Sequence, residues 1–141
     1  MAGYNTNLAS EFYVLSVLYR RGLDANLTLG NKKSVDITVV RGPADVITID
    51  VKAVAKCMDW PISSKSVMNS ERHFVALLCY NGHFADQTTH PDVWIVPYSA
   101  LQSDQLTKVF RGDMTCVIRK RLIDFGGKYL NNWSALDAPV T

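Results

Sequence analysis

A chain of 141 residues, 48% of them hydrophobic, can bury one sizeable core, which predicts a single domain over residues 1–141. A formal charge of +2 is too small to mark a polyanion-binding protein by itself, and the three cysteines, Cys57, Cys79 and Cys116, are odd in number and lack metal-type spacing, which argues against a disulfide framework and for a reducing cytoplasm. The polar start MAGYNTN carries no signal-type apolar run and no stretch is long enough to span a bilayer, so a soluble protein with no membrane partner is expected.

The first predicted element is a helix over residues 8–21, LASEFYVLSVLYRR, with Leu8, Phe12, Leu15, Leu18 and Tyr19 at helical spacing, Thr6 or Asn7 as cap and Gly22 as stop. A short strand follows at 25–29. Two longer strands rich in Val, Ile and Thr, residues 34–40 and 46–54, flank the turn RGPAD, which predicts an antiparallel meander. Trp60-Pro61 breaks that pattern, and 62–72 reads as loop or short helix. The run HFVALLCY at 73–80 is apolar throughout and suits a buried central strand, and DVWIVPY at 92–98 looks similar, with a loop between them. Ser99 can cap a helix through about Phe110, MTCVI suits a last strand, and KYLNNWSAL reads as a closing helix after Gly126-Gly127. This order indicates an α/β or α+β domain around one mixed sheet.

The second and third strands carry unexpected charge. Side chains alternate across a strand, so Asp36 shares a face with Thr38 and Val40, while Asp50 and Lys52 share one with Val46, Thr48 and Val54. A hairpin folded about Pro43 sets Asp36 opposite Asp50, with Cβ atoms about 5 Å apart and Lys52 about 7 Å along its strand. At that separation the two carboxylates repel by roughly 3 kcal/mol at an effective dielectric of ~20. Lys52 offsets part of this, and a divalent cation offsets more, because Mg²⁺ favours one or two carboxylates together with waters and phosphate oxygens. Glu11 lies within the helix's apolar stripe, where an ionised carboxylate needs a partner, and it can reach the same cup as a third acid. Taken singly, an Asp on a strand or a D-x-K is most often a solvent-facing surface feature; together in register they are harder to dismiss.

These residues give the sequence its likeness to a known family. The stretch from Asn7 through ASEFYVLSVLYRRG, GNKKSVDITVV and ITIDVKAV, roughly residues 7–54, resembles the PD-(D/E)XK nuclease superfamily, which includes restriction-endonuclease-like and Holliday-junction-resolvase-like enzymes. The resemblance implies a restriction-endonuclease-like α/β core, a mixed central sheet flanked by helices in αβββαβ order. Glu11 then matches the family's first-helix acid, Asp36 the acid of its "PD" element, Asp50 the (D/E) and Lys52 the lysine. Val35 stands where the motif has proline, and Asp50 is the shorter of the two permitted acids.

The same resemblance implies an endonuclease that hydrolyses DNA, duplex or branched, to a 5′-phosphate and a 3′-hydroxyl. Asp36, Asp50 and the Val51 carbonyl would hold Mg²⁺ or Mn²⁺, Glu11 would support that ion or a second, and Lys52 would act on the attacking water and the transition state. Arg20, Arg21, Lys32, Lys33 and Lys65 neighbour the motif in sequence and are candidate phosphate contacts, with plain surface as an equal reading. A small chain has little surface for a long duplex, so a homodimer is expected. The rival readings are a nuclease-fold domain that binds nucleic acid or protein without cutting, and an RNA-cleaving toxin or its partner. His73, His83, His90 and Cys79 lack zinc-ligand spacing, and the three tryptophans read mainly as packing residues, with base stacking open to Trp60 alone.

Overall fold

The computed structural model describes residues 2–28, 35–56, 58–63, 71–112 and 114–138. In chain order the elements are α1 (Ala2–Arg20), β1 (Asp24–Leu27), β2 (Ile37–Gly42), β3 (Asp45–Val54), β4 (Trp60–Ser63), β5 (His73–Cys79), β6 (Asp92–Pro97), α2 (Tyr98–Ser103), β7 (Thr107–Arg111), β8 (Met114–Val117) and α3 (Arg119–Asp124), then a 3₁₀ turn at Trp133–Leu136. They build a mixed α/β fold around a five-stranded sheet of order β1-β2-β3-β5-β6. The meander β1-β2-β3 is antiparallel, β5 lies parallel to β3, and β6 returns antiparallel to β5.

The β2–β3 hairpin turns through Pro43 and Ala44, with Gly42 opposite Asp45, Thr38 opposite Thr48 and Ile37 opposite Ile49. From Ile37 to Val40 this is the register that folding about Pro43 predicts, and between Val40 and Gly42 it shifts by one residue in a bulge. It divides the side chains of the sheet cleanly. Ile37, Val39, Ile47, Ile49 and Val51 pack under α1 with Val14 and Leu18. On the opposite face Val75, Leu77 and Cys79 pack with Trp60, Tyr98, Leu101, Val117 and Leu122. That face is covered by a second sheet, order β4-β8-β7, together with α2 and α3, so the flanking layer there is only partly helical. Covered on both sides, β5 is buried at every residue, which accounts for its unbroken apolar run.

The helix α1 differs from its predicted form in two ways. It begins at Ala2, so Thr6 and Asn7 lie inside it, and its buried face is Thr6, Ser10, Glu11, Val14 and Leu18. Phe12 and Tyr19 point outward, 52% and 57% exposed. Two small polar residues can face the sheet because they are paired: the Ser10 hydroxyl bonds the Thr6 carbonyl at 2.6 Å and the Tyr80 hydroxyl at 2.8 Å. Gly22 ends the helix as expected, at φ 78°, with the Gly22 N–H on the Tyr19 carbonyl and the Leu23 N–H on the Leu18 carbonyl.

Three later expectations also change. Trp60-Pro61 opens β4, whose proline is tolerated because β4 is an edge strand beside β8. The helix from Ser99 stops at Ser103, and Thr107–Arg111 is a strand. The closing helix precedes the glycine pair instead of following it, since Gly126 and Gly127 take φ of 64° and 84°, outside the helical region, and only one 3₁₀ turn follows. Trp60 is fully buried, donating its Nε1–H to the Leu78 carbonyl at 2.9 Å with its ring edge-on to Trp94, which removes it from consideration as a base-stacking platform.

Candidate active site

The site begins where β2 runs out. β2 starts opposite Ile49, so among the described residues Val51 to Val54 of β3 pair with β5 alone. Backbone polar groups alternate sides along a strand, and the Ile49 carbonyl accepts the Asp36 N–H at 3.1 Å on the β2 side. The N–H and C=O of Val51 therefore point to that same side, past the end of β2. Asp36 stands there: its Oδ2 accepts the Val51 N–H at 2.7 Å. Its carboxylate is thus turned along the edge of the sheet toward Val51, and does not simply stand on the face it would share with Thr38.

Asp50 is held from behind. It is buried on the face of β3 away from α1, and its Oδ2 accepts the Tyr98 hydroxyl at 3.2 Å and the His73 Nε2–H at 3.3 Å. His73 can donate there as a neutral ring, because its Nδ1 lies 2.5 Å from the Thr48 hydroxyl, a donor. Thr48 and His73 are register partners across the parallel β3–β5 pair, and Tyr98 stacks on the imidazole at 4.3 Å between centroids. Both bonds fall on one oxygen, and among the described residues Oδ1 takes no hydrogen bond. His73 and Tyr98 are the parts of this site that sequence reasoning missed. Their only signal was a polar residue at each end of an apolar run, and nothing local reveals which strand those runs adjoin.

Lys52 shares the face of Asp50 two residues on, is half-buried, and makes no ion pair among the described residues. Glu11 is buried on α1 and engaged. Since α1 packs on the Val51 face, Glu11 approaches from the side of the sheet opposite Asp50 and Lys52, and its route to them runs around the edge of β3. The structure therefore brings Asp36 to Val51 and sets Asp50 beside Lys52. It does not gather all three acids: among the described residues no three His, Cys, Asp or Glu side chains form a group that could hold a metal ion.

Of the candidate phosphate contacts, Arg20 is exposed at the end of α1 and Arg21 is paired with Asp137 at 2.5 Å. They lie nine and ten residues along the helix from Glu11, about 15 Å at 1.5 Å per residue. Lys32, Lys33 and Lys65 lie outside the described residues. No described helix is long and apolar enough to cross a membrane.

The candidate donors are hard oxygens, the Asp36 carboxylate and the Val51 carbonyl at the end of β2 and the Asp50 carboxylate on the adjoining face of β3. One or two carboxylates completed by carbonyl, water and phosphate oxygens suit Mg²⁺ or Mn²⁺ and not Zn²⁺, so the chemistry of the set fits a divalent cation without a third acid.

No protein-family model matches this chain, and no curated protein matches it in sequence. Solved structures do. A Holliday junction resolvase from the archaeal hyperthermophile Archaeoglobus fulgidus superposes with a TM-score of 0.53 at 16% identity, over 82% of this chain and 85% of the resolvase. A bacterial homing endonuclease superposes with a TM-score of 0.55 at 11% identity, over 93% of this chain and 88% of that one. At such identity the likeness is one of fold, and the fold is restriction-endonuclease-like.

Proposed function

We propose that this restriction-endonuclease-like chain is a divalent-metal-dependent endonuclease that hydrolyses DNA phosphodiester bonds. The observation that carries the reading is the Asp36–Val51 hydrogen bond of 2.7 Å at the end of β2, with Asp50 and Lys52 on the residues either side of Val51. Two acids and a carbonyl beside a strand edge that β2 leaves unpaired among the described residues, with an ammonium close by, answer the needs of phosphodiester hydrolysis: a cation site, an oriented water and positive charge for the transition state.

In this reading Asp36, Asp50 and the Val51 carbonyl would hold one Mg²⁺ or Mn²⁺, and Glu11 would support it. Such an ion supplies a lowered pKa for water and positive charge against that building on phosphorus. The chain's own groups do the rest. Lys52, as an ammonium, orients the attacking water and stabilises a non-bridging oxygen as charge develops there. His73 and Tyr98 hold the Asp50 carboxylate through Oδ2 and leave Oδ1 for the ion. Arg20, Lys32, Lys33 and Lys65 are proposed phosphate contacts, and a homodimer supplies the second half of a duplex grip.

The burial of Asp50 and the lack of a three-acid group among the described residues favour a second reading, a nuclease-fold domain that binds nucleic acid or protein without cutting. Incubation of supercoiled plasmid, branched DNA and total RNA with Mg²⁺ or Mn²⁺ separates the two. Cleavage of DNA by the wild type and none by Asp50→Ala supports the nuclease. Failure of the wild type on every DNA, with retained DNA or protein binding, supports the accessory domain, and cleavage of RNA alone moves the substrate class.

A further inference from the structure

Helix α1 presents an apolar face that the fold does not use. Tyr4, Leu8, Phe12 and Tyr19 line its outer side, with Tyr4 64%, Phe12 52% and Tyr19 57% exposed, while Leu15 at the margin packs against the core. Tyr4, Leu8 and Phe12 recur every four residues and Tyr19 follows seven after Phe12, so the four form one seam along the helix. Beside the seam stand Ala9 and Ser16, small enough to let a second helix come close. The face carries no charge: from Gly3 to Tyr19 the sole ionisable acid or base of Asp, Glu, Lys, Arg or His type is Glu11, and Glu11 is buried. Aromatic enrichment with charge depletion distinguishes the core of a protein interface from ordinary surface, and an uncharged face offers nothing to a polyanion.

We propose that this face is the dimer interface, covered by the same face of a second copy of this chain. A stripe running along one helix is self-complementary, as a two-fold interface requires. Phe12 lies at the middle of the stripe, so it meets its counterpart whether the two helices run parallel or antiparallel. The area is sufficient. Three aromatic side chains of about 200 Å² each, half to two-thirds exposed, contribute roughly 350 Å². Leu8 and the small neighbours bring this to about 500 Å² per copy, near 1,000 Å² in all, the area at which specific contacts separate from incidental ones. The pairing leaves the edge of β3 with Asp36, Asp50 and Lys52 clear, because those groups do not lie on the outer side of α1. It does not depend on the nuclease reading.

The experiment is sedimentation equilibrium of the wild type and of Phe12→Glu, up to about 100 µM, a concentration at which a dimer of even ~10 µM Kd is mostly associated. The expected result is a mass twice that of the 15.7 kDa chain for the wild type, and the monomer mass for Phe12→Glu with unchanged circular dichroism. Oxidative cross-linking of Phe12→Cys gives an independent reading should Phe12→Glu fold poorly, and a covalent dimer absent from the wild type is expected. A monomeric wild type at every concentration overturns the proposal. So does a folded Phe12→Glu that remains dimeric, or a monomer that instead floats with phosphatidylcholine vesicles, which would assign the face to a lipid surface.

Discussion

Asp36 and Val51 meet across the end of β2: the carboxylate takes the backbone N–H at 2.7 Å, in the place where the next ladder bond would have been. The acid thereby completes the sheet and terminates it. Asp36→Asn keeps an acceptor oxygen for Val51 and is expected to stay within about 1 kcal/mol of the wild type in urea unfolding, whereas Asp36→Ala strands a buried N–H and costs about 1–3 kcal/mol. Both remove the negative charge, and both are expected to lose metal-dependent cleavage. Cleavage by Asp36→Asn at the wild-type rate would separate this residue from the chemistry.

Asp50 gives the second prediction. Tyr98→Phe removes one of the two donors on Oδ2 and preserves the ring against His73. Loss of such an outer hydrogen bond lowers metal affinity by about 10–100-fold, so Mn²⁺ titration followed by electron paramagnetic resonance is expected to show weaker binding at nearly unchanged melting temperature. His73→Gln, which retains an N–H donor, is expected to bind better than His73→Ala. Equal Mn²⁺ affinities for all three variants and the wild type would reduce His73 and Tyr98 to packing.

The hairpin that sets the register stores strain. Ala44 follows Pro43 at φ 59°, a left-handed conformation that costs an alanine about 1–2 kcal/mol. Glycine relieves that cost but adds freedom to the unfolded chain, leaving Ala44→Gly more stable by up to about 1 kcal/mol. Thermal melts check this, and a lower midpoint for Ala44→Gly would contradict it.

At the same hairpin the Arg41 guanidinium donates to Asp45, Arg72 pairs with it at 2.7 Å, and together they hold its carboxyl below the usual carboxylate range. A folded-state pKa below the unfolded one means that the unfolded chain binds more protons in acid. The stabilisation is therefore present above the ordinary carboxylate pKa near 4 and is lost as pH falls through the depressed value. Asp45→Asn is expected to be less stable than the wild type at about pH 7, with the gap closing toward about pH 3. A gap that does not close would show that the ion pairs contribute nothing.

The meander, its register and the buried β5 were legible because each follows from a period of two or an unbroken apolar run bounded by turn residues. The face of α1 was not. Of the apolar stripe only Leu15 and Leu18 pack on the core, whereas Phe12 and Tyr19 face outward and Thr6, Ser10 and Glu11 face the sheet, since paired polar groups can be buried while exposed aromatics can await a partner. The second sheet escaped for another reason: β4 pairs with β8 more than fifty residues away, with a proline in the pair. At the site, Asp36, Asp50 and Lys52 stood out as charges on strands, whereas His73 and Tyr98 gain their meaning only from the parallel β3–β5 register and the turn into α2.

The nuclease account turns most directly on Lys52, to which it gives a role on water and phosphate but none as a metal ligand. Single-turnover cleavage of duplex, branched and single-stranded DNA by the wild type and by Lys52→Ala, each with Mn²⁺ bound to measured saturation, isolates that role. The account predicts Mn²⁺ affinity within about threefold of the wild type and a cleavage rate lower by roughly 10²–10⁴-fold. Equal rates for the two proteins, or no cleavage of any of these DNAs by a wild type carrying its Mn²⁺, would contradict it.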